Sequence, residues 1–418
     1  MPLTQQELGR RLRDAREAVS FTQDQVADHL DVSRSAIAQI ELGNRAVGSL
    51  ELDQLARLYG RDIREFFSED FRQETALVAF RLAEALADEN AADALRDCMS
   101  VSRELTHLEK LVGANRDLAS MVRYGIPSPR SRYDAIRQGS SVAEQERRRL
   151  AMGDAPIEDI NELLQAQGVR TAMVSLPEDV SGLTLLDPDI GPFVAVNCEE
   201  HILRRTFSFA HEYAHVLLDS DVKGTISRNS QNTELMEVRA NSFAANFLMP
   251  EGGVREFLST LGKGGQARLF AETPTGDESA IGIEARGTGS QDVRLHDVVL
   301  LAHRFGVSRT VALYRLRNLH ILSDRELQVL LAQEREGRGR DLERLMRLPK
   351  PAHNEERYRF HYRFLSLALE AYEREAISRS KVEELFAAVL KQPKSAISLD
   401  EFQLIEREKP TGVSIPGG

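Results

Sequence analysis

Phe207–Asp219 reads FSFAHEYAHVLLD, and inside it His211, Glu212 and His215 form the pattern HExxH. On a helix, positions four apart lie on one face, one turn above the other, so His211 and His215 can hold one metal ion together. Glu212 projects beside that face, where a carboxylate takes a proton from metal-activated water. Phe207, Ala210, Ala214, Leu217 and Leu218 supply the apolar positions that bury such a helix. The plain alternative is a buried helix whose two histidines are satisfied by hydrogen bonds. HExxH arises by chance in roughly one chain in a hundred of this length, so its context has to discriminate.

That context favours a metal. Zinc bound by two histidines needs at least one further protein ligand and keeps one position open for chemistry. The next helical stretch, TELMEVRANSFAANFLMP over Thr233–Pro250, places Glu234, Glu237 and Asn241 on one face and Ala240, Phe243, Ala244 and Phe247 on the packing side. Glu237 is the favoured third ligand and Glu234 the alternative. Ahead of the motif come a helix over Ile157–Gln165 and three β-like runs, Arg170–Ser175, Leu183–Asp187 and Pro192–Asn197, separated by turn residues. Phe193–Asn197 is expected near the metal, with an edge free to pair with an extended peptide. Asp219 either orients His215 from outside the ligand set or is a surface acid at a helix end. Tyr213 either assists an oxyanion or packs in the core.

The first 67 residues read as short helices. Thr22-Gln23-Asp24-Gln25 is a Thr-x-x-Gln capping box, Ser33 is a helix N-cap, and Gly43 closes the helix that follows. Two short helices joined by a tight turn, the second with a small polar outer face, make a helix-turn-helix. The stretch FTQDQVADHLDVSRSAIAQIELGNR resembles the XRE-type, lambda repressor-like DNA-binding domains. By that resemblance Gln23, Arg34, Ser35, Ala38 and Gln39 would face double-stranded DNA. Gln39 and Arg34 have the chemistry to read base edges, and Asn44 and Arg45 would hold phosphates. Residues 1–67 hold nine Lys/Arg against eleven Asp/Glu, a net of −2 that works against strong charge-driven affinity.

The chain has 418 residues, a net charge of −11 and two cysteines, Cys98 and Cys198, without metal-ligand spacing. That charge excludes coating nucleic acid by electrostatics alone. With no signal-peptide core and no run long enough to span a bilayer, a cytoplasmic protein without membrane association is expected. Residues 68–124 have helical periodicity suited to a connector or a dimer surface. Gly125–Pro129, with residues up to Ser140, reads as a linker, and Arg147-Arg148-Arg149 as a solvated helix face. Residues 273–291 read as a loop and Leu295–Leu319 as a second helix-turn-helix-like segment. The region beyond 320 reads as helices ending in a disordered tail.

RRTFSFAHEYAHVLLD, EVRANSFAANFLMP and LAHRFGVSRTVALYRLRNL together resemble the ImmA/IrrE family of zinc-dependent metallopeptidases over about residues 157–319. The resemblance selects Glu237 as the ligand beside His211 and His215, with Glu212 as catalytic base and Zn2+ as cofactor. It implies a protein substrate, an XRE-type repressor, and a role in stress response or element induction. The expected fold is mainly α with a small β-sheet (α+β). Its expected parts are a lambda repressor-like domain (1–67), a helical connector and linker (68–140), a zincin-like metallopeptidase core (141–320), a C-terminal helical region (321–408) and a tail (409–418). A homodimer would suit two DNA half-sites. Two readings without repressor cleavage stand beside this one: an XRE-type transcription factor with a zinc-containing sensor domain, and a toxin–antitoxin or phage-defence component.

Overall fold

The computed structural model describes residues 3–18, 21–59, 61, 63–67, 88–114, 122–187, 190–219, 224–228, 234–263, 291–349 and 361–390. The N-terminal unit comprises α1 (Gln5–Ala18), α2 (Gln23–Leu30), α3 (Arg34–Glu41), α4 (Ser49–Leu58) and a 3-10 turn at Ile63–Phe67. Its caps are those read from the sequence. Thr22 and Gln25 form the reciprocal capping box, and the Ser33 side chain accepts from the Ala36 amide at 3.2 Å. Asp31 takes the left-handed conformation, φ 54°, that turns the chain between α2 and α3. Leu12, Val26, Ile37, Ile40, Leu55 and Phe66 close the core. Arg16 and Glu41 form a buried ion pair across it at 2.5 Å.

The central region is layered around four strands, β1 (Arg170–Val174), β2 (Val180–Asp187), β3 (Gly191–Asn197) and β4 (Gly224–Arg228), in the order β1-β3-β2-β4. β1 runs parallel to β3, whereas β2 is antiparallel to both β3 and β4. Every residue of β1 and β3 is buried, so alternation along these strands separates two apolar faces rather than core from solvent. Met173, Val194 and Val196 face the cluster built by α8 (Ile202–Leu218) and α9 (Leu235–Leu248). For reference, α5 is Glu89–Leu111, α6 is Arg132–Arg149 and α7 is Ile160–Ala166. Ala172, Val174, Phe193 and Ala195 face a second cluster made with α5 and with α15 (His361–Glu373) and α16 (Arg379–Leu390). Five further helices complete the described chain: α10 (Glu251–Thr260), α11 (Leu295–Phe305), α12 (Arg309–Asn318), α13 (Asp324–Arg335) and α14 (Arg338–Leu345). Among the described residues, no helix is long and apolar enough to cross a membrane.

Four sequence expectations change. The boundary at 140/141 falls inside α6, a single helix, so only the segment before Ser131 is extended. α6 lies directly on α9, and a Cβ at Gly139 would stand 2.3 Å from the Arg239 carbonyl oxygen, so glycine there permits the crossing. β3 sits between β1 and β2 with both edges used and has none to offer a peptide. Arg147 is buried rather than solvated, with its guanidinium donating to the carbonyls of Gly153, Ala155 and Phe247. The α5 part of the connector is a layer of the central fold. There Arg170 of β1, 1% exposed, donates to Glu109 of α5 at 3.1 Å, and Glu109 also meets Arg363 of α15 at 3.2 Å. The expectations for residues 68–87, for the loop through residue 290 and for the tail lie outside the described residues.

Candidate metal centre and DNA-reading surface

α8 is apolar on the side that meets the sheet and α9, through Phe209, Ala210, Tyr213, Ala214 and Leu217. This packing carries the HExxH residues inside: His211 is 6% exposed, Glu212 0% and His215 1%. α9 brings Glu237 against them. Its Oε2 lies 3.0 Å from His211 Nε2 and its Oε1 3.3 Å from His215 Nε2, while the two Nε2 atoms stand 3.2 Å apart. Ligands at 2.0–2.1 Å around a tetrahedral ion are separated by about 3.3 Å, so the three donors already have nearly the spacing of one zinc site. They are also the one group of three or more potential metal-ligating residues among those described that converges in this way. Glu234, the alternative ligand, is exposed at the N-cap of α9, one turn short of the cluster.

The outer nitrogen of each histidine is also engaged. His211 Nδ1 meets Asn241 Oδ1 at 3.1 Å, and His215 Nδ1 meets Asp219 Oδ2 at 2.7 Å. Both partners are acceptors, so Nδ1 carries the hydrogen and each Nε2 lone pair is directed at the shared point. Asp219 also pairs with the buried guanidinium of Arg239. Burial opposes ionisation of both His215 and Glu237. Hydrogen bonds donated to Asp219 and Glu237 nevertheless hold the His215 imidazole pKa above its ordinary value, and the imidazoles of His211 and His215 hold the Glu237 carboxyl below its own.

Glu212 points into the strand layer. Thr184 Oγ1 of β2 donates to its Oε2 at 2.7 Å. Its Oε1 is buried and has no hydrogen-bond partner among the described residues. A Cβ on Gly182 would stand 2.7 Å from that oxygen, so a side chain there would displace the carboxylate. Tyr213 faces the core: its hydroxyl donates to Glu146 at 2.5 Å and its ring packs on Phe243 and Phe247. Burial alone would raise the Glu146 pKa, but donors from Arg149, Tyr213 and Tyr124 keep it below the usual range. Sequence reasoning passed over Thr184, Gly182 and Arg239. Asn241, four residues after Glu237, was placed on the right face without a role.

In the N-terminal unit, Arg34, Ser35 and Gln39 of α3 and Asn44 beyond it are exposed, while Gln23, Ala38 and Arg45 are half-buried. Asn44 Nδ2 donates to Gln39 Oε1 at 3.0 Å, and Arg34 lies 3.5 Å from Asp24. Gln23 donates to Glu41 at 2.8 Å, and Arg45 pairs with Glu51 at 2.6 Å. The segment α11–α12 repeats the turn: Gly306 is left-handed at φ 62°, and Ser308 caps as Ser33 does. Its second helix is used differently. Where α3 has Arg34 and the half-buried Ala38, α12 has Arg309 held by Glu334 and Glu343, and Leu313 fully buried. That surface binds α13 and α14, not a groove.

A helix-turn-helix family model matches residues 7–66, and the model of the IrrE N-terminal-like domain, a peptidase family, matches residues 164–272. No match was found among curated proteins. The two matches set an XRE-like helix-turn-helix domain ahead of an IrrE N-terminal-like domain, the pairing and the α+β layout expected.

Proposed function

We propose that this chain is a DNA-binding regulator whose central domain hydrolyses a peptide bond in another protein. His211, His215 and Glu237 would hold Zn2+, and Glu212 would serve as base. The observation that carries this reading is the convergence of three buried ligand atoms within 3.0–3.3 Å, beside a buried glutamate with one carboxylate oxygen unpartnered among the described residues. Zinc, when bound, supplies Lewis acidity to the scissile carbonyl and to the attacking water. The chain's residues do the remainder. Thr184 occupies Glu212 Oε2, which leaves Oε1 to take the water's proton and pass it to the leaving amine. Asn241 and Asp219 keep both imidazoles in the ligating tautomer. Among the described residues β4 is the terminal strand of the sheet beside β2, and its outer edge suits an extended substrate segment.

The protein substrate is an XRE-type repressor, and the N-terminal domain brings the peptidase to DNA. Gln23, Arg34, Ser35, Ala38 and Gln39 contact bases or groove walls, Asn44 and Arg45 contact phosphates, and a homodimer spans two half-sites. The test is co-expression with an XRE-type repressor encoded nearby, with zinc per chain measured in parallel. Glu212→Gln is expected to keep about one zinc and lose cleavage, and Glu237→Ala to lose the zinc. Equal cleavage by Glu212→Gln would sink the mechanism. Zinc retained in wild type, with unaltered DNA regulation in Glu212→Gln and no cut protein, would favour the zinc-containing sensor.

A further inference from the structure

A buried guanidinium lies two residues beyond the third ligand. Arg239, 1% exposed, reaches Asp219 Oδ1, while Asp219 Oδ2 lies 2.7 Å from His215 Nδ1. Arg239 Nη1 also donates to Gln138 Oε1 of α6 at 3.3 Å, and Gln138 Nε2 donates to the Pro127 carbonyl at 3.2 Å. Pro127 belongs to the extended segment 122–129 that leads into the central fold. The same segment is fixed to the last turn of α8, where the Tyr124 amide donates to the Leu217 carbonyl at 2.9 Å. A continuous hydrogen-bonded chain therefore runs from the His215 ring to the incoming segment.

We propose that Arg239 is a positioning residue of the metal centre, fixing His215 through Asp219, and that Gln138 makes the seating of segment 122–129 part of the same support. The proposal rests on the reading that His211, His215 and Glu237 hold zinc. A carboxylate whose two oxygens are taken by two different partners has a fixed plane, and that plane orients the imidazole it receives. Arg239 cannot swing away without leaving a buried carboxylate and a buried cation uncompensated. Because α9 carries both Glu237 and Arg239, one helix presents a ligand and also clamps a ligand of the facing helix.

The test measures zinc affinity of the full chain by competition with a chromophoric chelator, together with the visible spectrum of the Co2+-loaded protein. Arg239→Met and Asp219→Asn are each expected to weaken zinc binding about tenfold and to shift the Co2+ bands. Arg239→Met added to Asp219→Asn should cost nothing further, because its route to the metal is already cut. Gln138→Leu should weaken binding roughly threefold. If Arg239→Met alone does not fold, the comparison of Asp219→Asn with the double variant, which removes both buried charges, decides. A further tenfold loss on that background would overturn the proposal, as would a single variant binding zinc as tightly as wild type. Failure of wild type to bind zinc would instead overturn the metal reading beneath it.

Discussion

Glu212 has two oxygens in different surroundings. One accepts the Thr184 hydroxyl at 2.7 Å, and the other is buried without a donor among the described residues. A carboxylate removed from water depends on such donors, since a buried polar group left unpaired costs about 1–3 kcal/mol. Thr184→Val keeps the shape and removes the donor, so it is expected to destabilise the metal-free protein by about that amount, while Thr184→Ser retains most of the stability. Chemical denaturation followed by circular dichroism reads the difference. Equal stability of the valine variant would mean that the hydroxyl does not sustain the carboxylate.

At the scale of elements, the metal centre depends on how α8 and α9 are held, and α6 presses on α9 from the side. Gly139 permits that approach: a Cβ there would meet the Arg239 carbonyl at 2.3 Å and the Phe243 amide nitrogen at 2.8 Å, both backbone atoms that cannot rotate aside. Gly139→Leu therefore has to push the helices apart. The expected penalty is about 1–3 kcal/mol or more, with a loss of zinc affinity because Glu237 travels with α9. Unchanged melting and unchanged zinc binding would show that the crossing has slack. The two helix-turn-helix segments make a related point. Their turns are alike because the caps are alike, yet α3 is open outward whereas α12 is covered by α13 and α14.

At the scale of the whole molecule, the sheet is covered on both faces, and its second cover is assembled from distant parts of the chain. α5 precedes the matched peptidase-family interval and α15 and α16 follow it, yet all three join one apolar cluster with the strands. Glu109 of α5 links β1 to α15: its pair with Arg170 is buried, and the exposed Arg363 of α15 reaches the same carboxylate. Removing one member of a buried pair leaves an uncompensated charge and costs about 3–5 kcal/mol. Glu109→Leu should accordingly loosen α5 and α15 together. Hydrogen exchange would report faster exchange in both helices, whereas protection lost in α5 alone would show that the two dock independently.

Local chemistry was legible from the residues alone. The i, i+4 spacing of His211 and His215, the capping box at Thr22, the N-cap at Ser33 and the apolar periodicity of α8 and α9 each depend on neighbours within a turn or two. A linear sequence displays such relations directly. Helical arithmetic favoured Glu237 with Glu234 as the alternative, the family resemblance selected Glu237, and in the fold it is Glu237 that lies beside both histidines. What tertiary structure alone decided are relations between residues far apart in the chain: Thr184 under Glu212, Arg239 against Asp219, Gly139 at the α6–α9 crossing, and α5 with α15 on the far face of the sheet. Periodicity says that a face is apolar and must be covered. It does not say by what, because many apolar segments satisfy the same burial, and only the packed shapes and paired charges of the folded chain select one.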